Sequence, residues 1–255
     1  MGFKLRYVPL IIIAIVIVLV AVPLLIHFFT WGLPWEQEKA MEAGQAYVDS
    51  NFDEPMEVIS ANRFLRGEYN VIVKLVDYDD FRFTVSFDSE LQFWKHDFEQ
   101  RVIQYKLRQV IQSLVSEISP DASATIIIVQ SFSRDEIDEF NGKITMGMPI
   151  EELMPIVEGR YAVSINYPQN VTIDNTDEAA PIIYSFISAL KEQGYQATYI
   201  SFYPQNSLGP REYHILGEDP SLVLSLTFDE YMEIQNPEDL IPHFETEIER
   251  NPYYK

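Results

Sequence analysis

The chain has 255 residues, of which 47% are hydrophobic, and it carries a formal net charge of −21 at pH 7. It contains no cysteine, which excludes disulfide bonds, thiolate metal sites and a cysteine nucleophile. So acidic a surface repels nucleic acid and anionic lipid, and we therefore expect no nucleic-acid partner.

An apolar run of 22 residues extends from Val8 to Phe29 without any Asp, Glu, Lys or Arg. At ~1.5 Å per residue it gives roughly 33 Å of helix, enough to cross a hydrocarbon core of about 30 Å. A secretory signal peptide has a shorter apolar stretch followed by a cleavage site, so the run predicts an uncleaved transmembrane anchor. Residues spaced along the predicted anchor are Val8, Ile11, Ile15, Leu19, Pro23, Leu25 and Phe29.

Two cations predict the direction of this anchor. Lys4 and Arg6 are the only charges before the run, and the positive-inside bias places them in the cytoplasm. The remaining body, with 16 of the 18 cations against 39 acidic residues, is then extracytoplasmic with a charge of −23. Trp31 and Trp35 lie where aromatic residues contact the outer headgroups, or alternatively where the core of the folded body begins.

Residues 31–132 are predicted to form a first extracytoplasmic α+β domain. Pro34 and Glu36 suit the start of a helix, which the apolar stripe extends over residues 35–50. Three β-like runs then predict an antiparallel meander over residues 56–65, 69–76 and 81–87. Asp97 and Gln100 resemble a capping box for a long helix that Pro120 ends. A continuously apolar strand over residues 125–129, buried on both faces, completes the domain.

Residues 133–255 are predicted to form a second α+β domain, in which, as in the first, antiparallel sheets pack on helices. A short helix over residues 151–157 leads to a strand over 161–167. A helix then opens at Asn175, runs to Gln193 and stops at Gly194. Further strands are expected over residues 195–203, 213–216 and 222–228. Asn236 and Pro237 signal the start of a last helix.

The search for catalytic and metal motifs predicts neither a cofactor nor a catalytic residue. His96, His214 and His243 lie far apart in sequence, and no HExxH, G-x-S-x-G, S-x-x-K or P-loop pattern occurs. The acidic turn over residues 77–80 holds Ca²⁺ loosely or is simply solvated, since it lacks the spacing of an EF-hand. A pair of carboxylates for glycoside hydrolysis stays open, because sequence spacing does not fix spacing in space.

Four cations concentrate around the predicted long helix. They face anionic headgroups or an acidic partner, or they pair with the chain's own carboxylates. The four are Lys95, Arg101, Lys106 and Arg108.

The layout of the first 87 residues resembles the YfjL-like proteins, which are uncharacterised membrane-anchored proteins of Bacillus-type Gram-positive bacteria. The resemblance is carried by the basic tail, the apolar anchor, the juncture Trp31-Gly32-Leu33-Pro34-Trp35, the Glu/Lys/Ala helix and the Val-rich meander. It implies an anchored envelope protein and supplies no catalytic residues.

These observations predict a single-pass cell-membrane protein with an extracytoplasmic, non-catalytic binding module at the bacterial surface. Its expected partners are the lipid bilayer and either another envelope protein or a wall component. Two alternatives remain: an envelope hydrolase that uses Asp or Glu, and a regulatory subunit of another membrane protein.

Overall fold

The computed structural model describes residues 18–19, 21–22, 33–63, 67–129, 136, 140, 142–167, 171–204 and 222–246. Its contacts divide the chain into two compact units, Met1–Arg101 and Val102–Lys255. Both units combine helices with largely antiparallel sheets, which confirms the predicted α+β class.

The first unit is a four-stranded antiparallel meander with one helix packed against it. Its sheet has the order β1-β2-β3-β4, and the predicted helix and three predicted strands are all present. Strand β4 was not predicted. The elements are α1 (Pro34–Asn51), β1 (Met56–Arg63), β2 (Tyr69–Leu75), β3 (Arg82–Phe87), β4 (Phe93–His96) and the first turn of α2 (Phe98–Ile118).

Helix α1 lies very close to the centre of this sheet. Ala40, Gly44 and Val48 recur every four residues, so they form one face of the helix, and all three are buried. A Cβ built on Gly44 would lie 2.6 Å from Cγ1 of Val71 on β2, so only glycine permits this approach. Alternate residues of β2 are buried beneath the helix, as the period of two requires.

The second unit is a five-stranded sheet in the order β5-β6-β7-β8-β9. Its strands are β5 (Ser123–Ile128), β6 (Tyr161–Tyr167), β7 (Tyr199–Pro204), β8 (Leu222–Thr227) and β9 (Phe244–Thr246). Its helices are the rest of α2, α3 (Ile150–Val157), α4 (Thr176–Glu192), α5 (Phe228–Glu233) and the 3-10 helices Ile173–Asn175 and Pro237–His243.

One strand pair departs from the predicted antiparallel pattern. Strands β6 and β7 are parallel, because helix α4 returns the chain to the end of the sheet where β6 began. Phe186 of α4 packs against Phe202 of β7 with ring centroids 6.1 Å apart. The other six pairs among the described strands are antiparallel.

Strand β5 differs from its prediction in partner and in burial. It pairs with β6, so it belongs to the second sheet, whereas the prediction grouped it with the strands of the first domain. Its burial alternates along the strand, with Thr125 and Ile127 exposed on one face, so the prediction of two buried faces was wrong. Gln112 of α2 fixes the strand, because its side chain accepts a hydrogen bond from Ala124 N–H at 2.7 Å.

Two other predictions concern the last helix and a strand before β8. The last helix begins at Pro237 as predicted, but it is a 3-10 helix that contains a second proline, Pro242. Proline lacks the N–H that a continuing α-helix requires. The strand predicted over residues 213–216 lies outside the described residues.

Candidate functional site

The connection between β3 and β4 is a tight turn organised by one carboxylate. Oδ1 of Asp88 accepts hydrogen bonds from the N–H groups of Glu90 and Gln92, both at 2.9 Å. The Asp88 carbonyl accepts from Leu91 N–H at 3.1 Å, which closes the turn. Leu91 adopts a positive φ of 60°, an unfavourable conformation for a residue with a Cβ. The turn is thus held in one shape at a local energetic cost.

Strand β4 presents two large aromatic side chains to solvent. Phe93 is 45% exposed and Trp94 is 54% exposed, although aromatic residues of this size are usually well buried. Nζ of Lys95 lies 4.5 Å from the Trp94 ring centroid, within the range of a cation–π contact. Because β4 ends the sheet order, it has a strand partner on one side only among the described strands. We call residues 88–95 the β4 edge.

A residue of α1 supports this edge from beneath. Tyr47 stacks on Phe93 with ring centroids 4.3 Å apart and planes 13° from parallel. Phe93 also lies 5.9 Å from the His96 ring, and Phe52 lies 5.7 Å from that ring on another side. The exposed aromatic edge is therefore continuous with a cluster at the carboxyl-terminal part of α1.

Beneath the aromatic rings lies a buried histidine–carboxylate pair. Nδ1 of His96 is 3.2 Å from Oε2 of Glu99, and the two side chains are only 5% and 7% exposed. Oε1 of Glu99 is buried and has no hydrogen-bond partner among the described residues. The backbone N–H of Phe98 also points at His96 Nδ1, at 3.4 Å. Burial, together with the nearby Glu99 charge, raises the pKa of Tyr47 to about 12.

The start of α2 is tied to the sheet by the residue between this pair. Oδ1 of Asp97 accepts from Thr84 N–H on β3 at 2.6 Å, and Oδ2 accepts from Arg101 Nε at 3.0 Å. The predicted capping residue thus links the helix to the strand.

Most residues singled out for the anchor lie outside the described residues. This applies to Val8, Ile11, Ile15, Pro23, Leu25, Phe29, Lys4, Arg6 and Trp31. Leu19 is described, is helical and is 67% exposed, and Val18 and Val22 are helical and exposed beside it. Trp35 occupies the second position of α1 and is 57% exposed. None of the helices within the described part of the chain has both the length and the apolarity to cross a bilayer.

The residues considered for metal binding do not converge. His96 lies in the first unit, His243 lies in the second, and His214 is outside the described residues. In the described ranges, three or more His, Asp or Glu side chains nowhere meet closely enough to hold a metal ion. Asp77, Asp79 and Asp80 are exposed in their turn.

The four clustered cations serve separate contacts. Lys95 covers Trp94, and Arg101 pairs with Asp97. Lys106 donates to the Met148 carbonyl at 2.7 Å, and burial lowers its pKa. Arg108 is exposed on α2.

Strand β4 and the contacts that its residues make were not predicted from the sequence. Phe93-Trp94-Lys95-His96 has no alternation of apolar and polar residues, so it gives no strand signal. The spacing of His96 and Glu99 by three residues was visible, but only the fold shows that both are buried. The candidate site is therefore the β4 edge with the His96–Glu99 pair beneath it.

Comparison with known proteins leaves the family open. No family model and no curated protein matches the chain. A DUF5037 family protein from Ruminococcus gnavus ATCC 29149, known from a crystal structure, is similar over 80% of this chain and 87% of its own, with 13% identity and a TM-score of 0.35. A TM-score this low does not establish a shared fold.

Proposed function

We propose that this protein is a membrane-anchored, extracytoplasmic binding module that contacts an envelope protein through the β4 edge. The observation that carries the proposal is the exposure of Phe93 and Trp94 on an edge strand that a rigid turn holds in place. In this proposal the module binds its partner without catalysing a reaction.

The chemistry of the β4 edge matches that of protein interfaces. Aromatic residues are enriched at the centres of interfaces, and a few of them supply most of the binding energy. An edge strand also offers unpaired N–H and C=O groups, to which an extended partner segment adds a further strand. Because the turn at Asp88 fixes β4 before binding, little conformational entropy is lost when a partner docks.

The membrane anchor is part of this proposal. The 22-residue apolar run from Val8 to Phe29 is long enough to span the bilayer, and the exposed helical side chain of Leu19 suits contact with lipid. Helix α1 begins at Pro34, five residues after Phe29, so the chain can separate it from the anchor by at most about 18 Å. The first unit, as in the YfjL-like layout, is then held close to the membrane, where a membrane-protein partner is accessible.

Site-specific crosslinking in the native membrane tests the binding function. A photoreactive phenylalanine analogue replaces Trp94 in the full-length chain, and we expect a discrete crosslinked product with an envelope protein. The matched control carries the same analogue at Ile59, which is 39% exposed on β1, the opposite edge of the same sheet. Equal products at both positions, or none at Trp94, would contradict the proposal.

The identified partner then provides a quantitative test. Truncation of an aromatic residue at the centre of an interface weakens binding by about 2 kcal/mol or more, roughly thirtyfold. We expect Trp94→Ala to weaken partner binding by this order, and Ile59→Ala to leave it unchanged. If exchanging the anchor for an unrelated one also abolishes crosslinking, the partner is a membrane protein and the chain is its regulatory subunit.

The His96–Glu99 pair favours a second candidate, an envelope hydrolase. A carboxylate that orients an imidazole is the arrangement found in general-base catalysis. Both side chains are buried, so a substrate reaches them only if the side chains that cover them move. Turnover of wall glycans or peptides by the full-length protein, abolished by His96→Gln, would favour the enzyme over the binding module.

A further inference from the structure

The buried His96–Glu99 pair joins the end of the edge strand to the start of a helix. His96 is the last residue of β4 and pairs through its backbone with Val85 on β3. Glu99 lies in the first turn of α2. Any change in this contact therefore acts on β4 and α2 together.

One nitrogen of His96 faces two partners with opposite requirements. To contact Glu99 Oε2, which is an acceptor, Nδ1 must carry a proton, whereas to accept from the Phe98 N–H it must carry none. A charged imidazole has protons on both nitrogens, so it can only donate to Glu99. A neutral imidazole can turn its lone pair toward Phe98, and then Glu99 loses its donor.

Glu99 has little else to compensate its charge. Its other oxygen, Oε1, is buried without a hydrogen-bond partner in the described part of the chain. The amino-terminal end of α2 favours a negative charge, but that effect is typically below about 1 kcal/mol. A buried carboxylate that loses its cationic partner is destabilised by several kcal/mol, so its side chain is driven to move toward water.

The other rings that face His96 from the elements packed against it are a neutral phenol and two apolar side chains. Helix α1 contributes Tyr47, whose pKa is raised to about 12, so its phenol stays neutral at physiological pH. Phe52 and Phe93 are apolar, and Glu99 is the contribution of α2. Asp97 is occupied by Thr84 and Arg101.

We propose that His96 and Glu99 form a proton-operated lock on the β4 edge, closed when His96 is charged and released when it is neutral. Release moves the His96 ring, which lies against Phe93, and Phe93 in turn stacks on Tyr47. The position of Phe93 and Trp94, and hence the binding surface, then depends on pH. The lock regulates the proposed binding site, and only its effect on binding rests on the proposed function.

The charge state of His96 is the first measurement. Histidine titrates in the range of about pH 5 to 8, so an NMR titration of ¹⁵N-labelled histidines in the full-length protein in nanodiscs reports it directly. We expect the His96 signals to be those of a charged imidazole at the acidic end of the titration and of a neutral one at the alkaline end, with assignment from the spectrum of His96→Gln. A His96 imidazole that keeps one protonation state throughout would overturn the lock.

The response of the edge is the second measurement. With 4-fluorophenylalanine at position 93, we expect the ¹⁹F resonance to move between pH 5.5 and 8. We also expect β4 amides to exchange about tenfold faster at pH 8, after correction for intrinsic rates, which corresponds to about 1.4 kcal/mol of lost protection.

Two variants and a control identify the pair as the cause. His96→Gln and Glu99→Gln are expected to abolish the pH response, since neither can form the charged contact. His243→Gln, which changes a histidine in the second unit, should leave it intact. Persistence of the ¹⁹F shift in His96→Gln would refute the lock. Because these readouts need no partner, a failed crosslink at Trp94 with an intact pH response would reject the binding function alone.

Discussion

At the residue scale, the lack of a Cβ at one position allows α1 to approach its sheet closely. Gly44 is the residue in the middle of the helix that faces Val71, and the helix backbone approaches the valine side chain so closely there that any Cβ would overlap a methyl group. Alanine is favoured over glycine in an isolated helix by about 1 kcal/mol. Overpacking of a full core is unfavourable by about 1 to 3 kcal/mol, so the steric effect is the larger one.

We therefore expect Gly44→Ala to lower the free energy of unfolding by up to about 2 kcal/mol, despite its better helix propensity. Urea denaturation of the full-length protein in detergent measures the change. Gly147→Ala is the control, because its new Cβ would have only Thr145 Oγ1 nearby, at 3.9 Å. A Gly44→Ala variant as stable as wild type would show that α1 shifts to accommodate the methyl group.

Another residue-scale effect concerns alkaline stability. Tyr231 is fully buried and donates to the Ala197 carbonyl at 3.1 Å. Burial raises its pKa from 10.0 to about 12. Between these values the unfolded chain releases a proton that the folded chain retains, so stability is complete below about pH 10 and declines as the pH rises toward 12.

The variant Tyr231→Phe distinguishes the contribution of the hydrogen bond to stability from the effect of ionising the phenol. At pH 7 we expect a loss of about 1 kcal/mol from the missing hydrogen bond. Between pH 10 and 12 the variant should lose less stability than wild type, by up to about 2 to 3 kcal/mol, because one titrating phenol is gone. Unfolding midpoints at pH 7, 10 and 11.5 test both signs, and parallel pH curves for the two proteins would contradict the assignment.

At the element scale, the turn before β4 determines whether the aromatic edge is presented at all. A four-residue strand at the end of a sheet has few ladder hydrogen bonds to hold it, and its register with β3 shifts between Ser86 and Phe87. The Asp88 carboxylate compensates by binding two N–H groups of the turn. Short polar side chains stabilise turns in this way.

Asp88→Ala is expected to loosen the β4 edge while the rest of the first unit stays folded. The loss of two exposed hydrogen bonds corresponds to about 1 to 2 kcal/mol. Amide exchange should accelerate at Glu90, Gln92 and along β4, but not along β1. Asp88→Asn keeps the acceptor oxygen and should exchange nearly as wild type does. Equal protection of β4 in Asp88→Ala would show that the strand needs no support from the turn.

At the scale of the whole molecule, the proposed orientation rests on the two cations before the apolar run. Lys4 and Arg6 favour a cytoplasmic amino terminus, and the body with its charge of −23 then lies outside. A reporter that fluoresces only in the cytoplasm, fused after Lys255, should stay dark. The same fusion to a chain with Lys4 and Arg6 changed to Glu should give more fluorescent cells. Bright cells with the unaltered chain would overturn the orientation.

The elements that were predicted correctly have strong local signals. Strand β3 and helix α4 show a clear period of two or 3.6 in their apolar residues. Helix α1 has a start signal at Pro34, and α4 is followed by a stop signal at Gly194, which has a positive φ of 74°. Strand β4 and the sheet to which β5 belongs were missed. Strand pairing joins residues distant in sequence, and no pattern within β5 distinguishes one sheet from the other.

The sequence by itself determined the acidic charge, the lack of cysteine, the apolar run and most helices and strands, because each depends on composition or on near neighbours. Only the tertiary structure decided that Tyr47 stacks on Phe93 and that His96 and Glu99 are buried together. Tyr47 and Phe93 are separated by 46 positions, so their contact exists only once α1 has packed on the sheet. Burial is what makes an ordinary histidine and glutamate interact strongly, since removal of water strengthens the interaction between their charges and leaves Glu99 Oε1 without another partner among the described residues.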